Sequence, residues 1–138
     1  MSVVLDASVA LAWCFEDEQT DAVMALLARV VQSGAVVPLL WPIEILNGLL
    51  TAERRKRLDA ARRERFAGFL QDLPIAIDQE TIERLWHDVV PLAVGHGLTA
   101  YDAIYLELAQ RRALPLASSD RKLIAAARQV GVVVLPAA

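Results

Sequence analysis

The segment VVLDASVALAW, Val3 to Trp13, decides the fold. Val3-Val4-Leu5 is short, rich in β-branching and wholly apolar, as a central strand of a parallel sheet buried on both faces should be. Asp6 ends it, and Ala7 to Phe15 reads as a short helix. A strand that runs straight into a helix is the repeating unit of an open α/β sheet. In such sheets the carboxyl ends of the strands line one crevice, where ligands bind. An acid at that junction raises the question of what stands at the others.

Working outward, Thr20 to Gln32 carries Val23, Leu26, Leu27 and Val30 at helical spacing and is closed by Gly34. Val36 to Leu39 reads as a second strand. Pro42 suits the first turn of a helix with Ile43, Leu46, Leu49 and Leu50 on one side. Asp59 caps a further helix, Ala60 to Gln71, expected to bury Phe66, Phe69 and Leu70. Ile75 to Ile77 is a third strand, and Asp78 caps a helix with Ile82, Leu85, Trp86 and Val89 on one face. Pro91 should divide that segment, and Gly95 and Gly97 place His96 in a turn. Thr99 caps a helix reaching Arg112. Leu116 to Ser118, a helix from Arg121 to Val130 and a strand from Val132 to Leu135 complete the pattern. The expectation is an α/β domain of three layers over residues 1–138, with about five mainly parallel strands flanked by helices.

Four acids fall at strand-to-helix junctions: Asp6, Glu44, Asp102 and Asp120. Each has a plain reading. Asp6 and Asp120 would cap the helices that follow, and Glu44 and Asp102 would favour a helix dipole. Their joint placement says more, because a parallel sheet brings all four to one edge. Acids gathered there repel one another unless cations occupy the site. An all-oxygen set of this kind suits Mg²⁺ or Mn²⁺, ions that act on phosphate esters. Ser8 and Asn47 stand where a hydroxyl and an amide would support Asp6 and Glu44.

The bulk composition sets bounds. The chain has 138 residues, 56% apolar and 22% charged, with a formal net charge of -3. That length suits one domain with a self-sufficient core. The net charge gives no global basic field for nucleic acid. Of the 14 Lys and Arg, however, half lie in ERRKRLDAARRER, Glu53 to Arg65. A charge run is usually a solvated helix face. The functional alternative is that Arg54, Arg55, Lys56 and Arg57 contact substrate phosphates beside the crevice. The single cysteine, Cys14, cannot form an internal disulfide and fits a reducing compartment. No apolar run reaches the ~20 residues of a membrane helix, and no secretory signal stands at the start. A cytoplasmic protein without membrane attachment is expected.

The segments VLDASVALAW (Val4 to Trp13), PIEILN (Pro42 to Asn47), LTAYDAIYLELA (Leu98 to Ala109) and LASSDRKL (Leu116 to Leu123) resemble the PIN-domain family, and within it the VapC-type ribonuclease toxins of bacterial toxin–antitoxin pairs. The resemblance implies that Asp6, Glu44, Asp102 and Asp120 are catalytic and hold Mg²⁺ or Mn²⁺. It places Ser8, Asn47 and Ser118 as supporting residues. It further implies cleavage of structured RNA, a homodimer and a cognate antitoxin protein that occludes the site. Arg121-Lys122 after Asp120 leaves this edge with one acid.

The rivals fit less well. A receiver-type phosphoacceptor needs an Asp and a Lys at particular strand ends, and the only lysines are Lys56 and Lys122. A haloacid-dehalogenase-type phosphatase needs an acid where Ser8 stands. The non-enzyme alternative is an RNA-binding or interaction module with a vestigial acidic cleft.

Overall fold

A computed structural model describes residues 1–138. Five strands form one sheet in the order β3-β2-β1-β4-β5, and every pairing is parallel. The strands are β1 (Val3–Leu5), β2 (Ala35–Pro38), β3 (Ile75–Asp78), β4 (Leu116–Ala117) and β5 (Val134–Leu135). The helices are α1 (Ala7–Ala12), α2 (Asp21–Ser33), α3 (Leu40–Arg54), α4 (Ala60–Asp72), α5 (Thr81–Arg84), α6 (Val90–His96), α7 (Ala100–Arg112) and α8 (Arg121–Gln129). This is the expected three-layer α/β architecture. The sheet is parallel throughout, rather than mainly so.

β1 lies at the centre, and Val3, Val4 and Leu5 are fully buried. Register follows from β1: Val4 faces Val36 on one side and Leu116 on the other. A single cluster of apolar side chains joins both faces of the sheet to the helices. α7 is its most enclosed helix, with Ala103 to Ala109 all buried. Gly34, at φ +79°, takes the left-handed backbone that turns α2 into β2. Gly48 lets α3 approach α1: a Cβ there would stand 2.5 Å from Leu11 Cδ1.

Several expectations change. β2 runs from Ala35 to Pro38, so Leu39, expected to end that strand, instead caps α3, which starts at Leu40. β4 and β5 are two residues each. Phe69 is 39% exposed and lies outside the core, while Leu70 is buried. Ile82 and Trp86 also face solvent, at 63% and 82% exposure. The reason is a π-helical turn, Leu85–Val89, between α5 and α6. Its wider winding breaks the 3.6-residue register, so Val89 turns inward while Trp86 turns out. Pro91 sits in the first turn of α6, where its missing donor costs nothing. His96 ends that helix instead of lying in a turn, and Gly97 closes it at φ +64°. No helix is long and apolar enough to cross a membrane.

Candidate active site

β1 and β4 are neighbours, yet the chain leaves β1 toward β2 and reaches β5 from β4 on the opposite side. The sheet order reverses between them, and the crevice at such a point is where open α/β sheets bind ligands. Asp6 follows β1 and Ser118 follows β4, so both face this crevice.

Asp6 is 7% exposed. It occupies the capping position of α1 but makes no capping hydrogen bond. Its plain reading as a helix cap is therefore not realised. Instead two hydroxyls donate to one of its oxygens. Ser8 Oγ lies 3.0 Å and Ser118 Oγ 2.7 Å from Oδ2. Oδ1 is left without a protein donor. Ser118 Oγ also accepts the Asp120 N–H at 3.0 Å, so one buried hydroxyl ties β1 to the start of α8. Ser119 Oγ donates to Ser8 Oγ at 3.2 Å.

Asp120 does cap its helix, accepting the Leu123 N–H at 2.9 Å through Oδ1. The residue is exposed, and its other oxygen has no hydrogen-bond donor within the chain. Asp102 lies in the first turn of α7, where Thr99 Oγ1 accepts its backbone N–H at 3.1 Å. Glu44 lies beyond the first turn of α3, since that helix begins at Leu40. The helix dipole falls off within the first turn and so explains little about it. What holds Glu44 is Tyr105, whose hydroxyl donates to Oε1 at 2.5 Å. Asn47 is exposed and makes no hydrogen bond.

Electrostatics link the four acids. Burial raises the Glu44 pKa above the usual carboxylate range, and repulsion from Asp6 and Asp102 adds to it, against the lowering effect of the Tyr105 hydroxyl. Burial also raises Asp102, with repulsion from Asp120 and Asp6, partly offset by Thr99. The Tyr105 hydroxyl is pushed up by burial and by Glu44, so it keeps its proton and donates it to Glu44. None of the molecule's ion pairs touches Asp6, Glu44, Asp102 or Asp120.

The donor set is hard oxygen throughout. No three acidic, histidine or cysteine side chains are drawn close enough to grip an ion unaided. Mg²⁺ is held by one or two carboxylates and keeps several waters. An open crevice with unengaged oxygens on Asp6, Glu44 and Asp120 fits that mode of binding.

The basic run is divided. Arg57 is engaged by its own chain: Nη2 stands 2.9 Å from Asp17 and 3.0 Å from Glu18, and the guanidinium lies 4.1 Å from the centre of the Phe15 ring. Arg54, Arg55 and Lys56 are exposed and unpaired. They follow Glu44 along α3 by ten residues or more, about 15 Å at the helical rise.

Two groups of residues escape a sequence reading. Tyr105 is one, although its place one turn after Asp102 marks it as a neighbour on the same helix. The other is a second acidic cluster. Asp78, 1% exposed, ends β3 and takes a two-pronged grip from Arg111, with both Nη···Oδ distances 2.9 Å. Arg111 also donates to Glu107 at 2.7 Å and to Glu80 at 3.1 Å, and Arg112 reaches Asp78 at 3.3 Å. Asp78 was expected only as a cap. It does accept the Glu80 N–H and the Thr81 hydroxyl, each at 3.2 Å.

Comparison with known proteins bears on this arrangement. A sequence profile of the PIN domain matches residues 3–129. No curated protein matches at a significant level. Among solved structures, PAE2754 from Pyrobaculum aerophilum is 26% identical with a TM-score of 0.67, over 91% of this chain and 84% of that one. A toxin–antitoxin complex from Klebsiella pneumoniae gives 22% identity and a TM-score of 0.60, over 90% and 91%. VapC20 from Mycobacterium tuberculosis, a sarcin–ricin loop cleaving toxin, gives 16% and 0.61, over 98% of this chain and all of that one.

Proposed function

The chain belongs to the PIN-domain family, and we propose that it is a metal-dependent endoribonuclease, the toxin of a toxin–antitoxin pair. The observation that carries the reading is the state of the four crevice acids. Burial, with repulsion from neighbouring acids added to it, raises Glu44 and Asp102, and no cationic side chain relieves them. A cluster maintained against its own repulsion is suited to a cation supplied from outside. The likeness in fold to a toxin–antitoxin complex and to an RNA-cleaving toxin supports this choice of substrate and partner.

Asp6 and Asp102 would hold Mg²⁺ or Mn²⁺ most directly, with Glu44 and Asp120 acting through waters. Such an ion, when bound, relieves charge on the phosphoryl oxygens and acidifies a water. The chain's own residues then have distinct tasks. Ser8 and Ser118 fix the Asp6 carboxylate by Oδ2 and leave Oδ1 toward the crevice. Tyr105 holds Glu44 by Oε1, which leaves Oε2 to accept a hydrogen bond from water. Ser118 keeps Asp120 in step with Asp6 through its N–H. Arg54, Arg55 and Lys56 would steady RNA by its phosphates at a distance from the cut. The exposed apolar side chains on α3, Ile43 and Leu46, together with Ile82, Trp86 and Val94, are surfaces that an antitoxin and a second protomer would cover.

Cleavage of total RNA with and without divalent ions tests the reading. Activity should require Mg²⁺ or Mn²⁺ and stop on chelation. Undiminished cleavage in excess EDTA would remove the metal from the mechanism. Tight RNA binding with no cleavage under any ion would favour the vestigial cleft.

A further inference from the structure

Tyr101 precedes Asp102 and is 61% exposed. It lies four residues before Tyr105, hence on the same side of α7 and one turn nearer its N-terminus. Tyr105 is buried and reaches across to Glu44. Tyr101 makes no hydrogen bond and no aromatic pair within its own chain. The first turn of α7 thus carries an acid of the crevice and, beside it, a large flat ring that nothing in the protein uses.

We propose that Tyr101 forms a base-stacking subsite of the crevice, taking the face of an unpaired RNA nucleobase next to the phosphate held at the acids. This rests on the nuclease reading above. A nucleotide ties its base to its phosphate by a few bonds. A ligand that brings a phosphate to Asp102 therefore leaves a base within reach of the neighbouring residue. Every base has a π-face, so an aromatic side chain there holds the strand without reading its sequence. The acids of the crevice cannot hold RNA alone, because they repel phosphate until a cation intervenes. A neutral contact beside them supplies binding that does not depend on charge.

The test uses a short oligoribonucleotide spanning the site cut in total RNA, with 2-aminopurine placed at each position in turn. Binding is measured with the unaltered protein in Ca²⁺, an oxygen-binding ion of looser geometry than Mg²⁺, with the strand checked to be intact. At one position next to the cut, emission should fall on binding, and should fall again with Tyr101→Phe added, but not with Tyr101→Ala. In cleavage assays on the otherwise unaltered protein, Tyr101→Ala should raise KM on the order of tenfold, as the loss of one stacked base implies, with little change in kcat. Equal quenching in the alanine variant, or an unchanged KM, overturns the subsite while the nuclease reading stands. An unchanged KM with lost affinity for a protein inhibitor would reassign the ring to that inhibitor, and also overturns it. If the unaltered protein cuts no RNA, the nuclease reading fails first and the subsite falls with it.

Discussion

One helix serves two acidic clusters of opposite character. The first turn of α7 brings Asp102 to Asp6, Glu44 and Asp120. Its last turn brings Arg111 and Arg112 to Asp78. Nine residues, about 13 Å of helical rise, separate Asp102 from Arg111. At the far end the carboxylate is almost wholly buried, gripped by both prongs of a guanidinium, and held well below the usual range by Arg111. At the near end no carboxylate has a cationic partner, and Glu44 and Asp102 are raised by burial and by their acidic neighbours. Clustering of acids is common to both and so does not distinguish them. What distinguishes them is whether the chain supplies the countercharge. Where it does, the cluster locks the edge strand β3 to α7. Where it does not, the cluster is suited to an ion and a phosphate.

The largest effect that would break this contrast lies at the near end. Asp6→Asn and Asp102→Asn should each lower RNA cleavage by more than about 100-fold, beyond the 10–100-fold typical of a residue that only supports a metal ligand. Both proteins should remain folded by circular dichroism. Full activity in either would make the near cluster as structural as the far one.

At the far end the expected loss is in stability. Arg111→Met leaves Asp78 buried without its main partner and should cost about 3–5 kcal/mol in urea unfolding. Asp78→Asn added to it should recover part of that loss, because the uncompensated charge goes with it. A change within experimental error in Arg111→Met would mean that the cluster does not lock β3 to α7.

A smaller effect sharpens the contrast through pH. Asp78 has a depressed folded pKa, so its stabilisation is present above the ordinary carboxylate range and is lost as pH falls through the folded value. Glu44 and Asp102 have raised folded pKa values. Their contribution is present in acid and is lost as pH rises through those values. Metal-free Glu44→Gln/Asp102→Asn should therefore melt a few degrees higher than the parent at pH 7, with the gain shrinking toward pH 4. Saturating Mn²⁺ should raise the melting temperature of the parent and leave that of the double variant nearly unchanged. Thermal melts in which that gain is absent at pH 7, or does not shrink toward pH 4, would contradict the assigned directions.

Much of this was open to a reading of the sequence, for local reasons. Each junction acid announces itself by following an apolar run or a capping residue, and parallel pairing does the rest. Asp59, Thr99 and Asp120 cap their helices as their positions suggest. What escaped depends on distance or on an irregular backbone. Arg111 meets Asp78 across 33 residues, and Tyr105 meets Glu44 across 61. Neither pairing leaves a mark in a short window. Regular helical spacing puts Trp86 on the same face as Val89, and the π turn there separates them. Leu39 reads as the end of a strand because it continues the apolar run of β2, yet it caps α3.

The contact between Gly48 and Leu11 offers a way to tune the crevice from behind. Glu44 rides on α3 and Asp6 leads into α1, so the gap between these helices helps set how far apart the two carboxylates stand. That gap is held by the smallest residue against one leucine side chain. A wedge at position 48 and a matching trim at position 11 would act as a mated pair. Gly48→Ala alone presses on the Leu11 side chain and should modestly weaken the proposed activity, and Leu11→Ala added to it should restore the fit. Such a pair is a dimmer, set in the scaffold and leaving every acid in place.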